Sequence, residues 1–184
     1  AGSFTSGGTI SNITALAAAR ERALPGTRTS GMTHRAAAMY CSAEAHYSIT
    51  RAAELLGIGR DNVRAVPTDH RRRMSVVALE QQLKADTTAG ITPIAVVATA
   101  GTTLTGAVDP LGDIADVCAP FRTWVHVDGA YGLPAAAAAT SAELFTGLER
   151  VDSLSVDAHK WMFVPKACSA VLVRSAADLD TAFS

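Results

Sequence analysis

The sequence predicts an α/β fold, a mostly parallel sheet with helices on both faces. Three observations carry this expectation. Strand-length apolar runs alternate with segments of helical periodicity from one end of the chain to the other. The run Ile94 to Thr99 is apolar without alternation, as a strand covered on both faces must be. The intervening segments are long enough to be crossover helices, and neither repeats nor a linker interrupt them.

Each element has a local reason. Ser6 is placed as the N-cap of a helix running to about Leu24, whose alanines and leucines recur at helical spacing until Pro25-Gly26 stops it. Ala38 to Ser42 reads as a strand, and Ile49 to Leu56 as a helix with Gly57 in the C′ position. Asn62 to Val66 is a short strand closed by Pro67. Ser75 to Asp86 carries Val76, Leu79 and Leu83 on one helical face. After the strand Ile94 to Thr99, a helix is expected from about Pro110 to Cys118, because proline is tolerated in a first turn. Trp124 to Val127 is a strand, Ser141 to Leu148 a helix, and Ser153 to Val156 and Ala170 to Arg174 are strands before a last helix.

Composition narrows the function. The chain has 184 residues, enough for one domain, and 48% hydrophobic against 18% charged residues, so it can bury a core. Sixteen basic and seventeen acidic residues leave a net charge of −1, which supplies no field for nucleic acid or an anionic membrane. The positive mean hydropathy of +0.19 comes largely from alanine. Pro93 to Ala100 and Leu133 to Ala139, the most apolar stretches, are too short to span a bilayer. No cationic-then-apolar leader opens the chain, so a soluble, cytoplasmic protein is expected. Cys41, Cys118 and Cys168 are scattered and odd in number, which points to a reducing compartment; Cys41 and Cys168 read as small core residues. The chain opens on Ala1-Gly2-Ser3-Phe4 and stops in a helix-like segment at Ser184, as a piece of a longer protein would.

In a parallel sheet, ligands sit beyond the carboxyl ends of the strands. Those ends are followed here by Glu44-Ala45-His46, Gly101-Thr102-Thr103, Asp128-Gly129-Ala130-Tyr131 and Asp157-Ala158-His159-Lys160-Trp161. Before the first helix stands Ser6-Gly7-Gly8-Thr9, whose glycines admit a close approach and whose helix start offers free N–H groups to a phosphate. Alone, that turn is a plain N-cap, and it has neither P-loop nor dinucleotide spacing. His126 and Asp128 share one strand face; without a second ligand pair they make no metal site, and His126 is expected to pack against a neighbour. Asp128, expected to be buried, needs a cationic partner. Lysine is rare, only Lys84, Lys160 and Lys166, and Lys160 stands before Trp161, Met162 and Phe163, neighbours able to desolvate it and make its amine nucleophilic. Taken alone it would be a surface lysine. Arg71-Arg72-Arg73 is a short basic run of the kind that loops leave solvated. Together, a phosphate cradle, an aspartate and a lysine after successive strands are the inventory for pyridoxal phosphate. The 32 positions from Asp128 to Lys160 leave room for one helix and one strand, which puts their strands close together.

The chain resembles the group II pyridoxal-phosphate-dependent amino-acid decarboxylases. The resemblance rests on Thr5-Ser6-Gly7-Gly8-Thr9 with Asn12, Ala45-His46, Ala100-Gly101-Thr102-Thr103 with Asp109-Pro110, His126-Val127-Asp128-Gly129-Ala130-Tyr131-Gly132, and Asp152-Ser153 leading to Asp157-Ala158-His159-Lys160-Trp161, in family order. It implies the large domain of the fold-type-I transferase-like architecture, with the small C-terminal domain and a mobile loop bearing a catalytic tyrosine beyond Ser184. Lys160 would form the Schiff base, with His159 beside it near the phosphate. Asp128 would pair with the pyridine nitrogen, Ala130 would pack under the ring and His46 stack over it. Gly8 and Thr9 would hold the phosphate, and Thr103 would reach the cofactor from the central loop. The implied reaction turns an amino acid into an amine and CO2, in a homodimer whose second subunit completes the site. Aminotransferases and carbon–sulfur lyases share the lysine and aspartate, and an isolated segment could be inactive. Ile10 stands where many members have glutamate, Gly129 where many have alanine, and Asp157 where asparagine or serine is frequent.

Overall fold

The computed structural model describes residues 1–33 and 35–184. In chain order the elements are β1 (Gly2–Thr5), α1 (Gly8–Ala23), the single turn α2 (Thr27–Ser30), β2 (Ala37–Ser42), α3 (Ser48–Leu55), β3 (Val63–Val66), α4 (Val76–Thr88), β4 (Thr92–Thr99), α5 (Leu111–Cys118), β5 (Trp124–Asp128), β6 (Ser153–Asp157), β7 (Ser169–Val173) and α6 (Ala176–Phe183). The strands form one seven-stranded sheet in the order β1-β7-β6-β5-β4-β2-β3. From β3 to β6 every neighbouring pair is parallel, whereas β7 runs antiparallel to both β6 and β1. The mostly parallel α/β expectation holds.

The sheet is buried on both faces by the strand's two-residue alternation. Met39 and Cys41 of β2, Ala95 and Val97 of β4 and Trp124 of β5 pack with α1, α3 and α6 through Leu16, Ala19, Ile49, Ala53 and Ala182. Their alternates Ala38, Tyr40, Val96, Ala98, Val125 and Val127 pack with α4 and α5 through Leu79, Leu83, Ile114 and Cys118. Alanines at positions 15, 17, 18 and 19 let α1 lie close along the middle of the sheet. Helix α4 starts where Ser75 accepts a hydrogen bond from the Ala78 amide. Beyond α3, Gly57 takes the left-handed conformation expected of it, at φ 71°.

Three sequence expectations need correction. Gly7, not Ser6, is the N-cap of α1, so no side chain caps the first turn. The region from Ser141 to Leu148 is not one helix but short 3₁₀ turns at Ala142–Phe145 and Leu148–Arg150, separated by Gly147 at φ 95°. It buries Phe145 but offers no apolar stripe long enough to hold a helix. Strand β1 was not expected at all: its Gly-Ser-Phe-Thr lies at the sheet edge with Phe4 84% exposed, so it lacks the burial pattern that makes strands legible. This strand matters for the site. Thr5 and Asp157 are both in register with Ser169, which brings the start of α1 to the same sheet edge as the end of β6. No helix among the described residues is long and apolar enough to cross a membrane.

Candidate active site

A cavity of about 310 Å³ opens at the carboxyl ends of β4, β5 and β6, lined by Gly8, Thr9, His46, Thr103, Asp128, Ala130 and Lys160 together with Asn12, Ser48, Thr99, Gly101, Tyr131 and Asp157. Seven of the eight residues singled out from sequence thus meet around one space. His159 is the exception. Its Nδ1 lies 2.9 Å from the Cys168 carbonyl oxygen, to which it donates, and its Nε2 lies 3.8 Å from Asp157, so it stands behind Asp157 and not on the cavity wall. A larger hollow of about 650 Å³ lies at the other end of the strands, beside Thr92 and Thr123. Arg22 and Arg150 there are already paired with Asp152 and Asp116, and it lacks the lysine and buried carboxylate of the first cavity.

Asp128 ends β5 and is 6% exposed. Its carboxylate accepts hydrogen bonds from Asn12 Nδ2 at 2.9 Å and from the Ala130 amide at 3.2 Å. Strand β6, the direct neighbour of β5, carries Lys160 just past its end, as the spacing predicted. The expected desolvation of Lys160 is not found. Trp161, Met162 and Phe163 are 46%, 54% and 86% exposed, and the lysine side chain itself is 42% exposed. Its ammonium instead meets the buried Asp157 carboxylate at 2.9 Å, and Asp157 is held from behind by the Ser169 hydroxyl at 2.6 Å. Those apolar side chains border the mouth of the cavity, where Tyr131 and Trp161 stack with ring centroids 5.6 Å apart.

Beside the Lys160–Asp157 ion pair, α1 begins with Gly8 and Thr9. A Cβ at Gly8 would come within 2.9 Å of an Asp157 oxygen and 3.2 Å of the Ala130 Cβ, so only glycine lets the helix start approach this closely. With Gly7 as N-cap, the first-turn amides have no capping side chain competing for them. His46 sits over the cavity from the loop after β2, with Nδ1 2.9 Å from the Ser48 hydroxyl and its ring 4.2 Å from that of Tyr47.

Sequence reasoning placed Asn12 in a motif but gave no role to this polar group, which joins these walls. Asn12 is 1% exposed and touches Asp128, Ser48, His126 and Ser155. His126 is fully buried as expected, but it does more than pack. Its Nδ1 meets Ser153 Oγ at 2.8 Å and its Nε2 meets Asn12 Oδ1 at 3.0 Å. Burial holds its basicity well below the ordinary imidazole value, against the pull of the Asp128 charge. The signal was present: Ser11 and Asn12 are polar residues on the buried face of an alanine-rich helix. The tandem arginines are surface residues, Arg72 pairing with Glu44 at 2.9 Å and Arg73 with Asp69 at 2.8 Å.

These donors and charges fit pyridoxal phosphate: an uncapped helix start for a phosphate, a buried carboxylate for a ring nitrogen, and one lysine at the rim for an aldehyde. Comparison with known proteins agrees. The pyridoxal-dependent decarboxylase conserved domain matches residues 1–184. The chain is 40% identical over 182 residues to an aromatic-L-amino-acid decarboxylase of Bacillus atrophaeus, covering 99% of this chain and 37% of that protein. It is 45% identical over 177 residues to the L-2,4-diaminobutyrate decarboxylase of Rhizobium meliloti, covering 96% and 34%. The crystal structure of mouse CSAD superposes with a TM-score of 0.93 at 40% identity, over 97% of this chain and 38% of that one. That of Oryza sativa TDC with PLP and tryptamine gives 0.92 at 34% identity, over 100% and 38%. The chain spans little more than a third of the length of these relatives. From its sequence match and its fold alike, this chain belongs to the pyridoxal-dependent decarboxylase family.

Proposed function

We propose that residues 1–184 are the cofactor-binding part of the large domain of an enzyme that decarboxylates an amino acid to its amine. The observation that carries this reading is the convergence of Asp128, Lys160 and the Gly8–Thr9 helix start on one cavity from three separate strands. Bound pyridoxal phosphate would supply an electron sink for the pair left behind by departing CO2. The chain's own residues do the rest. Lys160 Nζ would be the covalent anchor of the bound cofactor. As a free amine it is held at the cavity edge by its ion pair with Asp157 at 2.9 Å. Gly8 and Thr9 take the phosphate on the uncapped first turn of α1. Asp128 would hold a proton on the ring nitrogen of the bound cofactor, and Ala130 and His46 would pack against its ring. Thr103, on the exposed loop after β4, closes on the cofactor's edge.

A second subunit is part of this proposal. Leu104 and Phe163, 87% and 86% exposed, stand with Tyr131 and Trp161 around the cavity, an apolar rim that a homodimer partner would cover. The scattered free cysteines, with the Cys41 and Cys118 thiols pushed up to about 12 by burial, support a cytoplasmic setting. The test uses the full-length protein loaded with cofactor and offered acidic, basic and aromatic amino acids. CO2 and amine in equal amounts, lost in Lys160→Ala together with the borohydride-reducible adduct on Lys160, are expected. A keto acid in place of CO2 would assign an aminotransferase instead.

A further inference from the structure

We infer that Asn12 is a positioning residue whose single carboxamide aims the Asp128 carboxylate and directs the Ser48 hydroxyl onto His46 Nδ1. The inference rests on the proposed placement of those two side chains against the cofactor ring, and its argument is a count of protons.

Results

Sequence analysis

The sequence predicts an α/β fold, a mostly parallel sheet with helices on both faces. Three observations carry this expectation. Strand-length apolar runs alternate with segments of helical periodicity from one end of the chain to the other. The run Ile94 to Thr99 is apolar without alternation, as a strand covered on both faces must be. The intervening segments are long enough to be crossover helices, and neither repeats nor a linker interrupt them.

Each element has a local reason. Ser6 is placed as the N-cap of a helix running to about Leu24, whose alanines and leucines recur at helical spacing until Pro25-Gly26 stops it. Ala38 to Ser42 reads as a strand, and Ile49 to Leu56 as a helix with Gly57 in the C′ position. Asn62 to Val66 is a short strand closed by Pro67. Ser75 to Asp86 carries Val76, Leu79 and Leu83 on one helical face. After the strand Ile94 to Thr99, a helix is expected from about Pro110 to Cys118, because proline is tolerated in a first turn. Trp124 to Val127 is a strand, Ser141 to Leu148 a helix, and Ser153 to Val156 and Ala170 to Arg174 are strands before a last helix.

Composition narrows the function. The chain has 184 residues, enough for one domain, and 48% hydrophobic against 18% charged residues, so it can bury a core. Sixteen basic and seventeen acidic residues leave a net charge of −1, which supplies no field for nucleic acid or an anionic membrane. The positive mean hydropathy of +0.19 comes largely from alanine. Pro93 to Ala100 and Leu133 to Ala139, the most apolar stretches, are too short to span a bilayer. No cationic-then-apolar leader opens the chain, so a soluble, cytoplasmic protein is expected. Cys41, Cys118 and Cys168 are scattered and odd in number, which points to a reducing compartment; Cys41 and Cys168 read as small core residues. The chain opens on Ala1-Gly2-Ser3-Phe4 and stops in a helix-like segment at Ser184, as a piece of a longer protein would.

In a parallel sheet, ligands sit beyond the carboxyl ends of the strands. Those ends are followed here by Glu44-Ala45-His46, Gly101-Thr102-Thr103, Asp128-Gly129-Ala130-Tyr131 and Asp157-Ala158-His159-Lys160-Trp161. Before the first helix stands Ser6-Gly7-Gly8-Thr9, whose glycines admit a close approach and whose helix start offers free N–H groups to a phosphate. Alone, that turn is a plain N-cap, and it has neither P-loop nor dinucleotide spacing. His126 and Asp128 share one strand face; without a second ligand pair they make no metal site, and His126 is expected to pack against a neighbour. Asp128, if buried at the strand's end, needs a cationic partner. The only lysines are Lys84, Lys160 and Lys166, and Lys160 stands before Trp161, Met162 and Phe163, neighbours able to desolvate it and make its amine nucleophilic. Taken alone it would be a surface lysine. Arg71-Arg72-Arg73 is a short basic run of the kind that loops leave solvated. Together, a phosphate cradle, an aspartate and a lysine after successive strands are the inventory for pyridoxal phosphate. The 32 positions from Asp128 to Lys160 leave room for one helix and one strand, which puts their strands close together.

The chain resembles the group II pyridoxal-phosphate-dependent amino-acid decarboxylases. The resemblance rests on Thr5-Ser6-Gly7-Gly8-Thr9 with Asn12, Ala45-His46, Ala100-Gly101-Thr102-Thr103 with Asp109-Pro110, His126-Val127-Asp128-Gly129-Ala130-Tyr131-Gly132, and Asp152-Ser153 leading to Asp157-Ala158-His159-Lys160-Trp161, in family order. It implies the large domain of the fold-type-I transferase-like architecture, with the small C-terminal domain and a mobile loop bearing a catalytic tyrosine beyond Ser184. Lys160 would form the Schiff base, with His159 beside it near the phosphate. Asp128 would pair with the pyridine nitrogen, Ala130 would pack under the ring and His46 would stack over it. Gly8 and Thr9 would hold the phosphate, and Thr103 would reach the cofactor from the central loop. The implied reaction turns an amino acid into an amine and CO2, in a homodimer whose second subunit completes the site. Aminotransferases and carbon–sulfur lyases share the lysine and aspartate, and an isolated segment could be inactive. Ile10 stands where many members have glutamate, Gly129 where many have alanine, and Asp157 where asparagine or serine is frequent.

Overall fold

The computed structural model describes residues 1–33 and 35–184. In chain order the elements are β1 (Gly2–Thr5), α1 (Gly8–Ala23), the single turn α2 (Thr27–Ser30), β2 (Ala37–Ser42), α3 (Ser48–Leu55), β3 (Val63–Val66), α4 (Val76–Thr88), β4 (Thr92–Thr99), α5 (Leu111–Cys118), β5 (Trp124–Asp128), β6 (Ser153–Asp157), β7 (Ser169–Val173) and α6 (Ala176–Phe183). The strands form one seven-stranded sheet in the order β1-β7-β6-β5-β4-β2-β3. From β3 to β6 every neighbouring pair is parallel, whereas β7 runs antiparallel to both β6 and β1. The mostly parallel α/β expectation holds.

The two-residue alternation of the strands sends apolar side chains to both faces of the sheet. Met39 and Cys41 of β2, Ala95 and Val97 of β4 and Trp124 of β5 pack with α1, α3 and α6 through Leu16, Ala19, Ile49, Ala53 and Ala182. Their alternates Ala38, Tyr40, Val96, Ala98, Val125 and Val127 pack with α4 and α5 through Leu79, Leu83, Ile114 and Cys118. Buried alanines at positions 15, 17, 18 and 19 let α1 lie close along the sheet. Helix α4 starts where Ser75 accepts a hydrogen bond from the Ala78 amide. Beyond α3, Gly57 takes the left-handed conformation expected of it, at φ 71°.

Three expectations need correction. Gly7, not Ser6, is the N-cap of α1, so no side chain caps the first turn. The region from Ser141 to Leu148 is not one helix but short 3₁₀ turns at Ala142–Phe145 and Leu148–Arg150, separated by Gly147 at φ 95°. It buries Phe145 but offers no apolar stripe long enough to hold a helix. Strand β1 is a correction of a different kind, because its Gly-Ser-Phe-Thr announces no strand. It lies at the sheet edge with Phe4 84% exposed and lacks the burial pattern that makes strands legible. This strand matters for the site. Thr5 and Asp157 are both in register with Ser169, which brings the start of α1 to the same sheet edge as the end of β6. No helix among the described residues is long and apolar enough to cross a membrane.

Candidate active site

A cavity of about 310 Å³ opens at the carboxyl ends of β4, β5 and β6. Seven of the eight residues singled out from sequence line it: Gly8, Thr9, His46, Thr103, Asp128, Ala130 and Lys160. His159 is the exception. Its Nδ1 donates to the Cys168 carbonyl oxygen at 2.9 Å and its Nε2 lies 3.8 Å from Asp157, so it stands behind Asp157 and not on the cavity wall. A larger hollow of about 650 Å³ lies at the other end of the strands, beside Thr92 and Thr123. Arg22 and Arg150 there are already paired with Asp152 and Asp116, and it lacks the lysine and buried carboxylate of the first cavity.

Asp128 ends β5 and is 6% exposed. Its carboxylate accepts hydrogen bonds from Asn12 Nδ2 at 2.9 Å and from the Ala130 amide at 3.2 Å. Strand β6, the direct neighbour of β5, carries Lys160 just past its end, in keeping with the spacing. The expected desolvation of Lys160 is not found. Trp161, Met162 and Phe163 are 46%, 54% and 86% exposed, and the lysine side chain itself is 42% exposed. Its ammonium instead meets the buried Asp157 carboxylate at 2.9 Å, and Asp157 is held from behind by the Ser169 hydroxyl at 2.6 Å. Trp161 stacks on Tyr131 of the cavity wall, with ring centroids 5.6 Å apart.

Beside the Lys160–Asp157 ion pair, α1 begins with Gly8 and Thr9. A Cβ at Gly8 would come within 2.9 Å of an Asp157 oxygen and 3.2 Å of the Ala130 Cβ, so only glycine lets the helix start approach this closely. With Gly7 as N-cap, no capping side chain competes for the first-turn amides. His46 reaches the cavity from the loop after β2, with Nδ1 2.9 Å from the Ser48 hydroxyl and its ring 4.2 Å from that of Tyr47.

Sequence reasoning placed Asn12 in a motif but gave no role to this polar group, which joins these walls. Asn12 is 1% exposed and touches Asp128, Ser48, His126 and Ser155. His126 is fully buried against its neighbours as expected, but it also bonds at both nitrogens: Nδ1 meets Ser153 Oγ at 2.8 Å and Nε2 meets Asn12 Oδ1 at 3.0 Å. Burial holds its basicity well below the ordinary imidazole value, against the pull of the Asp128 charge. A signal was present, since Ser11 and Asn12 are polar residues on the buried face of an alanine-rich helix. The tandem arginines lie at the surface, Arg72 pairing with Glu44 at 2.9 Å and Arg73 with Asp69 at 2.8 Å.

These donors and charges fit pyridoxal phosphate: an uncapped helix start for a phosphate, a buried carboxylate for a ring nitrogen, and a lysine at the rim for an aldehyde. The pyridoxal-dependent decarboxylase conserved domain matches residues 1–184. The chain is 40% identical over 182 residues to an aromatic-L-amino-acid decarboxylase of Bacillus atrophaeus, covering 99% of this chain and 37% of that protein. It is 45% identical over 177 residues to the L-2,4-diaminobutyrate decarboxylase of Rhizobium meliloti, covering 96% and 34%. The crystal structure of mouse CSAD superposes with a TM-score of 0.93 at 40% identity, over 97% of this chain and 38% of that one. That of Oryza sativa TDC with PLP and tryptamine gives 0.92 at 34% identity, over 100% and 38%. The chain thus spans little more than a third of the length of these relatives. From sequence match and fold alike, it belongs to the pyridoxal-dependent decarboxylase family.

Proposed function

We propose that residues 1–184 are the cofactor-binding part of the large domain of an enzyme that decarboxylates an amino acid to its amine. The observation that carries this reading is the convergence of Asp128, Lys160 and the Gly8–Thr9 helix start on one cavity, each from beyond a different strand. Bound pyridoxal phosphate would supply an electron sink for the pair left behind by departing CO2. The chain's own residues do the rest. Lys160 Nζ would anchor the cofactor covalently as a Schiff base; as a free amine it is held at the cavity edge by its ion pair with Asp157 at 2.9 Å. Gly8 and Thr9 take the phosphate on the uncapped first turn of α1. Asp128 would hold a proton on the ring nitrogen of the bound cofactor, and Ala130 and His46 would pack against its ring. Thr103 reaches in from the exposed loop after β4.

A second subunit belongs to this proposal. Leu104 and Phe163, 87% and 86% exposed, follow cavity residues Thr103 and Lys160 closely in the chain, apolar surface that a homodimer partner would cover. The three free cysteines, with the Cys41 and Cys118 thiols pushed up to about 12 by burial, support a cytoplasmic setting. The test uses the full-length protein loaded with cofactor and offered acidic, basic and aromatic amino acids. CO2 and amine in equal amounts are expected, both lost in Lys160→Ala together with the borohydride-reducible adduct on Lys160. A keto acid in place of CO2 would assign an aminotransferase instead.

A further inference from the structure

We infer that Asn12 is a positioning residue whose single carboxamide both aims the Asp128 carboxylate and directs the Ser48 hydroxyl onto His46 Nδ1. The inference rests on the proposed placement of those two side chains against the cofactor ring, and it follows from a count of protons.

The count starts at an indole. Trp124 Nε1 can only donate, and its partner is Ser153 Oγ at 2.7 Å. Having accepted there, Ser153 directs its own proton to His126 Nδ1 at 2.8 Å. That nitrogen is therefore an acceptor, and the neutral ring carries its proton on Nε2, which donates to Asn12 Oδ1 at 3.0 Å. Ser155 Oγ donates to the same oxygen at 2.8 Å. With both lone pairs of Oδ1 taken, Nδ2 is turned the other way. One of its protons goes to Asp128 Oδ2 at 2.9 Å and the other to Ser48 Oγ at 3.1 Å. Ser48, having accepted in turn, gives its proton to His46 Nδ1 at 2.9 Å, and the Ser48 amide points at that same nitrogen from 3.3 Å. His46 is left with its proton on Nε2.

All four hydrogen-bonding positions of the Asn12 amide are thus used, and only one orientation uses them. The flipped amide would set its NH2 against the His126 N–H and its oxygen against the Asp128 carboxylate, two repulsive contacts in a site 1% exposed. A donor-only indole in the core therefore dictates, through Ser153 and His126, which atom of Asn12 faces Asp128. The groups facing Asp128 are Asn12 from α1, Ser155 from β6 with Oγ 3.5 Å from Oδ1, His126 on its own strand and the Ala130 amide after it. Among these, Asn12 alone also reaches Ser48 at the start of α3, whose hydroxyl meets His46.

The test is made on the full-length protein loaded with pyridoxal phosphate. Nitrogen-15 NMR of the imidazoles is expected to show His46 and His126 each protonated on Nε2; a proton on Nδ1 of either ring breaks the chain and overturns the inference, with no variant needed. Asn12→Asp keeps the shape but offers Asp128 an acceptor, so the two carboxylates must share a proton. The variant is expected to retain the borohydride adduct on Lys160. The pH midpoint of the cofactor's absorbance change should move by about one unit or more, tenfold in the proton equilibrium, and the His46 Nδ1 signal should shift as the Ser48 hydroxyl is released from it. A folded Asn12→Asp or Asn12→Leu protein with the wild-type midpoint and the wild-type His46 signal would refute the role of Asn12. Asp128→Asn, run in parallel, separates the two levels. If it leaves the midpoint unmoved, the placement of Asp128 at the ring falls; if it moves the midpoint and the Asn12 variants do not, only the present inference falls.

Discussion

Replacing Asp128 with asparagine removes a charge and almost no volume, so charge can be weighed apart from packing. Asp128 is 6% exposed, and its carboxylate takes one proton from Asn12 Nδ2 and one from the Ala130 amide. An asparagine oxygen still accepts from Asn12, so the fold forgoes about one hydrogen bond, worth ~1 kcal/mol. The electrostatic loss is larger. A carboxylate about 4 Å from a ring nitrogen contributes ~4 kcal/mol at an effective dielectric near 20. That is equivalent to up to ~3 units in the basicity of the nitrogen before desolvation is subtracted. If the transition state depends on that proton, the rate falls by roughly 10²- to 10³-fold. Cofactor affinity, which the phosphate and lysine contacts also support, should change by less than about tenfold. The assay pairs CO2 release by the full-length variant with equilibrium dialysis of pyridoxal phosphate. A kcat within about threefold of wild type, or cofactor loss as large as the rate loss, would refute the reasoning.

Other expectations follow from the same geometry. Gly8→Ala drives a Cβ to within 2.9 Å of Asp157, which Lys160 and Ser169 hold in place; cofactor affinity should fall by about tenfold or more while overpacking costs about 1–3 kcal/mol of stability, read by dialysis and urea unfolding. Burial lifts Asp109 from 3.8 to about 6, against hydrogen bonds from the Met74 and Thr99 amides. The folded chain thus binds this proton more tightly than the unfolded one, so the group's contribution is full below pH ~4 and lost as pH rises to ~6. Asp109→Asn should therefore narrow the gap to wild type in urea midpoint between pH 4.5 and pH 7, and a constant gap would count against the shift. Trp124→Phe removes the only donor that orients Ser153 and weakens the Arg22 contact over the ring at 4.1 Å. It should cost about 1–3 kcal/mol and mix the His126 tautomers in nitrogen-15 spectra.

Most of the sheet was legible because its signals are local. The unbroken apolar run at Ile94–Thr99, the proline and glycine stops after Leu24 and Leu56, and the capping Ser75 each act within a few residues, where periodicity and backbone sterics decide. The carboxyl-end residues were legible for the same reason, since a parallel strand delivers whatever follows it to one edge. Tertiary structure alone decided the rest. Strand β1 exists because β7 offers it an antiparallel partner 164 or more positions later, and only that pairing swings Gly8 and Thr9 to the edge that holds Asp157. Lys160 meets a carboxylate and stays half open, because the chain from Trp161 to Phe163 turns outward and does not fold over it. Asn12 takes its role from four partners on three other elements, α3, β5 and β6. The sequence by itself determined which side chains end the strands; the direction of each proton between them was settled only by packing α1 on β5 and β6, because hydrogen bonds between distant residues have no periodicity to read.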